Sequence, residues 1–186
     1  MTTNQKIFSR IERFKKIAEE FPDLRYLGDS ILRTPAVKTT VDEGIEIGNK
    51  LEDILVRYRK MTGMGRGLAA PQIGIGKRVF ITFLNDQVQT FINPKVLKAS
   101  NNQNYYREVC LSSGLMRGDV KRPARITIQW TDKNGQIQEQ EAEDVVARLL
   151  QHEYDHLLGV CNLDVAKRGS IEFVTSDPLQ EKLRDV

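Results

Sequence analysis

The chain's two histidines, His152 and His156, stand four residues apart, and Glu153 directly follows the first. Positions i and i+4 share one helix face, so both imidazoles can reach a single metal ion. Glu153, about 100° around the helix from His152, flanks the pair as a carboxylate beside an open coordination position. The H-E-x-x-H pattern therefore offers two ligands and a base for metal-assisted hydrolysis. A catalytic ion takes a third protein ligand. With no further histidine in the sequence, the remaining donors are Cys110, Cys161 and the carboxylates. Cys161 follows the helix among apolar neighbours and reads first as core filling. Cys110 sits within REVCLSS, at the end of a strand from which a thiolate can face a neighbouring helix.

These residues need a rigid helix and a sheet to hold them. VVARLLQHEYDHLLG has helical spacing, with Asp144 placed to cap its start and Gly159 to end it. Upstream, MTTNQKIFSRIERFKKIAEE is a charged amphipathic helix without the continuous apolar core of a signal peptide. Ile45, Ile47, Leu51, Ile54 and Leu55 predict a second helix from about Val41 to Met61. From Arg78 the texture turns β-branched and aromatic: RVFITFL, QTFINPKVLKA, YYREVCLS and ARITIQWTD are strands separated by turn residues. Lys133-Asn134-Gly135 predicts a type I′ hairpin, and Ile126, Ile128 and Trp130 alternate onto one buried face. The expected fold is α+β, a mostly antiparallel sheet packed around the histidine-bearing helix. It forms one domain over residues 1–186: a helix at 1–21, a core over about 25–165 and a polar tail at 166–186.

Composition narrows the function further. A net charge of +3 over 186 residues, without a basic block, argues against nucleic-acid binding. No run approaches the roughly 18 apolar residues of a membrane span, and two cysteines make no disulfide framework; a cytoplasmic location is expected. Gly65, Gly67 and Ala70 fit a dinucleotide-binding loop on paper, but that loop follows a strand and opens a helix. Here a helix precedes it and Pro71 follows.

Three stretches together resemble the peptide deformylases. Gly65-Arg66-Gly67-Leu68-Ala69-Ala70-Pro71-Gln72 is similar to their GxGxAAxQ motif, Glu108-Val109-Cys110-Leu111-Ser112 to EGCLS, and Gln151-His152-Glu153-Tyr154-Asp155-His156 to QHExDH. The resemblance implies that Cys110, His152 and His156 hold one divalent metal ion, with Fe2+ the common cellular choice and Zn2+, Ni2+ or Co2+ alternatives. It implies hydrolysis of N-formylmethionyl peptides or nascent-chain N-termini, releasing formate. Glu153 is then the general base, Gln72 and the Leu111 N–H the oxyanion donors, and Gly67 the place where a peptide lies alongside as an added strand. Asp155 either orients a ligand or makes a surface ion pair.

The chain also departs from that pattern. Val109 replaces a motif glycine on the substrate path. Arg66 and Arg148 stand where the family carries apolar side chains lining the pocket for the formylated residue, and Leu149 shares the face of Arg148 and His152. The two arginines either snorkel outward, flank the pocket and select a polar or acidic substrate, or pair with protein acids such as Glu108. Three functions follow: a deformylase of methionyl peptides, a related amidase for a polar or acidic N-formyl substrate, or a metal-binding homologue with little catalysis. The last has no use for Glu153. Composition and spacing do not set monomer against dimer.

Overall fold

The computed structural model of the protein describes residues 2–174 and 184–185. Helix α1 spans Thr3–Glu20 and α2 spans Val41–Thr62; strands β1 (Gly67–Ala69), β2 (Val79–Leu84), β3 (Gln87–Ala99), β4 (Gln103–Val109), β5 (Met116–Pro123), β6 (Arg125–Thr131) and β7 (Ile137–Glu143) lead into helix α3 (Asp144–His156), and the short strands β8 (Glu172–Phe173) and β9 (Arg184–Asp185) follow. The named strands pair antiparallel throughout, in a five-stranded sheet ordered β1-β2-β3-β6-β7 and a four-stranded sheet ordered β8-β5-β4-β9. The expected α+β architecture is the one observed.

Alternation along β2 shows how one sheet serves two cores. Val79 and Ile81 face a core built with Leu51, Ile54 and Leu55 of α2, Ile17 of α1 and Leu68 of β1. Phe80, between them, faces the other way, into a core with Phe91, Ile126, Ile128, Trp130, Ala147 and Leu150. Side chains of successive strand residues point to opposite faces, so β2 ties the two cores together, as does β1 through Leu68 and Ala69. Phe80, Phe91 and Trp130 make a continuous aromatic run, with centroids 4.6 and 4.7 Å apart. Helix α2 lies so close to β3 that a Cβ on Gly44 or Gly48 would stand 2.7 Å from Ile92 or Thr90.

Three local expectations are corrected. The Asn134-Gly135 turn is not type I′: only Gly135 has a positive φ, at 75°. The carboxylate of Asp132 accepts from the N–H groups of Asn134 (2.8 Å) and Gln136 (2.9 Å), which holds a longer loop with a left-handed glycine near its end. The turn with two positive φ values is instead Asn85-Asp86, at 50° and 59°, between the paired residues Leu84 and Gln87. Asp144 is not a cap. It is the first residue of α3, at φ 48°, because β7 runs into the helix without a loop and one residue must make the turn; aspartate tolerates that conformation better than most residues. Strand β5 was not expected at all. Its inward positions are Gly118, Val120 and Arg122, so no apolar alternation announces it, and its seven register pairs to β4 set it in place.

Part of the expected polar tail is structured. Phe173 pairs with Met116 and Val174 is buried, and β9 pairs with β4. Residues 175–183 and 186 of that tail lie outside the described residues.

Candidate active site

Helix α3 carries His152, Glu153 and His156 beneath β1, and β4 delivers Cys110 just past its end, at the start of the 3-10 turn Leu111–Ser113. The ligand atoms of Cys110, His152 and His156 all lie within 4.8 Å of one another. Cys110 Sγ is 3.2 Å from His156 Nε2. The outward nitrogens of both rings are occupied: His152 Nδ1 meets Glu108 Oε2 at 2.9 Å, and His156 Nδ1 meets Cys161 Sγ at 3.8 Å. Both rings are thereby left with Nε2 for an ion, the arrangement by which metal-ligating histidines are oriented through their other nitrogen. Cys161 is completely buried; it stands behind His156 and is not one of the three grouped donors.

Burial pushes the Cys110 thiol up, but the imidazoles of His156 and His152 reverse this and hold it well below the ordinary thiol range. The same attraction, acting against burial, raises His156 to about 10. A thiolate between two imidazoles, each oriented through its other nitrogen, is a donor set suited to a borderline divalent ion. Glu153 is buried, and desolvation raises its carboxyl to about 7, with the two histidines pulling the other way. Its Oε2 has no hydrogen-bond partner among the described residues.

Gln72 is buried and fixed at both ends. Its Oε1 accepts from the Ala69 N–H at 2.8 Å, and its amide Nε2 donates to Cys110 Sγ at 3.4 Å and Ser112 Oγ at 3.2 Å. An N–H donor thus stands beside the ligand sulfur. Gly67, in β1, lies against Glu153: a Cβ there would sit 2.3 Å from Glu153 Oε1. These residues open on a cleft whose wall includes Arg66, Tyr106, Val109, Arg148 and Leu149. Of the residues expected at the site, all but His156 line this cleft, and His156 stands behind it, grouped with Cys110 and His152.

Arg148 does not snorkel outward, since it is 4% exposed. Nor is it an unpaired cation. Its Nη1 donates to Glu108 Oε1 at 2.6 Å and to the Val120 carbonyl at 3.1 Å; its Nη2 donates to the Asn104 carbonyl (2.8 Å) and Oδ1 (2.6 Å). Glu108 is shared with Arg122, which grips it at 2.7 and 3.0 Å and also holds Asp155 at 2.6 Å. Burial works against the charge of Glu108, and Arg122 and His152 overcome it, holding the carboxyl well below the usual range. Of the readings open for Arg148, pairing with Glu108 is the one observed. Asp155 supports the site through Arg122. Arg122 and Asn104 were not anticipated, because their strands place them here by pairing and neither belongs to a motif.

The polypeptide deformylase family model matches residues 21–171, so α1 precedes the matched segment. A peptide deformylase of Treponema pallidum is 40% identical over 145 residues, covering 76% of this chain and 86% of that protein. Among solved structures, a peptide deformylase of Synechococcus elongatus in complex with actinonin superposes with a TM-score of 0.70 at 33% identity, covering 78% of this chain and 79% of that one. A second, from Thermotoga maritima, gives 0.71 at 32% identity, covering 77% and 96%. By the extent of the family match and by this likeness in sequence and structure, the chain belongs to the polypeptide deformylase family.

Proposed function

We propose that the protein removes the formyl group from N-formylmethionyl peptides and nascent-chain N-termini, releasing formate. Cys110, His152 and His156 would hold one divalent ion, which when bound supplies the Lewis acidity that makes water nucleophilic near neutral pH. Iron(II) is the proposed cellular ion; zinc, nickel and cobalt suit the same thiolate and imidazoles. The cytoplasm, where nascent chains are met, is the proposed location; no helix among the described residues is long and apolar enough to cross a membrane.

The observation that carries the reading is the buried Glu153 carboxylate, with one oxygen lacking a partner, next to the grouped donors. A metal-storage or metal-binding role has no use for it. As general base Glu153 takes the proton of the attacking water and returns it to the departing amine. Negative charge grows on the formyl oxygen at the same time, and the Gln72 amide and Leu111 N–H are the proposed donors to it; losing one such donor costs about 2.7–4 kcal/mol of barrier. The test is formate release from formyl-Met-Ala by metal-loaded protein. Glu153→Ala should abolish turnover with one metal still bound per chain by elemental analysis. Sustained turnover in that variant removes Glu153 from the mechanism.

A further inference from the structure

The two proposed oxyanion donors come from distant parts of the chain. Gln72 belongs to the 3-10 turn Ala70–Ile73, and Leu111 opens the 3-10 turn Leu111–Ser113. Such donors act at about 2.7–3.1 Å from the oxygen they serve, so the spacing of the two turns matters to the reaction. One tie between the turns is the Gln72 amide itself, which donates to Ser112 Oγ at 3.2 Å and to Cys110 Sγ at 3.4 Å. A side-chain amide has two N–H donors, and turning one to the formyl oxygen gives up part of that tie.

A second tie is made of backbone alone. The Arg25 N–H donates to the Gln72 carbonyl at 2.8 Å, and the Leu27 N–H donates to the Ser112 carbonyl at 2.9 Å. Residues 25–27 thus bracket both turns without spending a reacting group. Between the two bonded residues, Tyr26 carries its ring to helix α1, where it meets Phe14 edge to face, with centroids 5.0 Å apart. Phe14 also reaches the second turn directly: a Cβ on Gly114, which closes that turn at φ 60°, would stand 3.3 Å from Phe14 Cε2 and Cζ. The Tyr26 hydroxyl is buried with no partner among the described residues, so what Tyr26 contributes is its ring. Helix α1 is fixed independently, by Ile17 in the core and by Arg13 Nη2, which donates to the Thr62 carbonyl at 2.6 Å. The bracket lies within the segment that matches the family, residues 21–171, whereas Phe14 precedes it.

We infer that Phe14, seated against Tyr26 and Gly114, is a positioning residue: it holds the Arg25–Leu27 bracket and, through it, the spacing of the Gln72 and Leu111 donors. The inference rests on the deformylase reading of the site. Both donors meet charge that develops in the transition state, so a loosened bracket lowers kcat and leaves KM alone. Removing one such donor costs about 100- to 1000-fold in kcat, and displacing it should cost about tenfold.

The experiment measures kcat and KM for formyl-Met-Ala with the metal-loaded full chain. Amide hydrogen exchange of Arg25 and Leu27, followed by NMR on the metal-free full chain, reports the bracket without turnover. Phe14→Ala should speed exchange at both amides by about tenfold or more and lower kcat about tenfold, with KM and metal content at parental values. Tyr26→Phe keeps the ring and should match the parent in both readouts. Ile47→Ala, in the same core but off the bracket, should melt lower and keep the parental kcat, which separates positioning from general destabilisation. If Phe14→Ala does not fold, Phe14→Leu, which keeps an apolar contact without the ring, carries the test in the same direction. Parental kcat or unchanged exchange in the Phe14 variant overturns the inference and leaves the reaction standing. So does a loss carried by KM, an equal loss of kcat in Ile47→Ala, or a loss in Tyr26→Phe. Faster exchange in Phe14→Ala beside a parent that releases no formate overturns the reaction instead.

Discussion

Gly67→Ala isolates the geometry of the proposed base. The added Cβ would stand 2.3 Å from Glu153 Oε1, 2.6 Å from Cδ and 2.7 Å from Cγ. Carbon atoms in contact sit about 3.5–4.0 Å apart, so the Glu153 side chain must give way by about 1 Å. It has little freedom to do so harmlessly, since it is buried on a helix held on either side by His152 and His156. Displacement of a reacting group by about 1 Å costs roughly 100-fold in rate, or about 2.7 kcal/mol of barrier. The strand itself should survive. Gly67 is not at a positive φ, and the contacts closest to an added Cβ are all with the Glu153 side chain. We therefore expect kcat/KM for a formyl peptide to fall by about two orders of magnitude, with metal content and thermal midpoint close to the parent. In calorimetric binding of the peptide, which needs no turnover, the double variant Gly67→Ala, Glu153→Ala should match Glu153→Ala alone, because both changes act on one group. A further loss in the double variant would show that alanine at 67 obstructs the peptide rather than the base. Near-parental activity of Gly67→Ala would refute the claim that Glu153 must stand where it does.

Replacing Glu108 by Gln leaves Arg122 and Arg148 without their shared anion and loosens His152; urea denaturation should show a loss of about 3–5 kcal/mol, and competition titration a metal affinity weakened about 10–100-fold. Asp132 is held below its ordinary pKa first by the Gln136 N–H, which works against desolvation, and then by the Asn134 N–H and the Gln138 amide. A depressed folded pKa adds stability above the unfolded value and loses it as pH falls. Asp132→Asn, which keeps an acceptor, should melt below the parent at pH 6 and match it well below about pH 4. Finally, an ion bound by the native state alone stabilises by about 2.7 kcal/mol at a hundredfold excess over Kd; Ni2+ should raise the melting temperature of the chelator-treated protein and leave Cys110→Ala unmoved.

Helices α2 and α3 were legible because amphipathic spacing follows from one buried face, and β2, β3 and β6 because their inward residues are apolar. Strand β5 was illegible for the same reason in reverse: Arg122 points into the protein, and only the acids it meets make that tolerable. The turns failed where side chains decide. Asn-Gly is the stronger hairpin signal, but the Asp132 carboxylate captured two backbone N–H groups and reset the loop. At the site, His152, Glu153 and His156 were fixed by one helix, whereas choosing Cys110 over Cys161 needed the resemblance. Both thiols sit near His156, one at Nε2 and the other at Nδ1, a distinction that spacing does not carry.

Arg148 shows why local reading runs out at a buried charge. Its partners come from β4 and β5, 40, 44 and 28 residues away, so helix periodicity could say which face it shares but not what it meets. The structure divides the work of one carboxylate: Glu108 Oε1 receives Arg148 and Arg122, while Oε2 receives His152 and the second contact of Arg122. The wall of the cleft and the orientation of a proposed metal ligand are thus coupled through a single side chain. Any change at Arg148 reaches His152 through Glu108 as well as the substrate, and a lowered rate alone would not say which was disturbed. Arg66 has no such connection among the described residues. Changing it alters the cleft wall without passing through Glu108, so rates and metal affinity of Arg66→Ile, set beside those of Arg148→Lys, separate an effect on the cleft from one on His152.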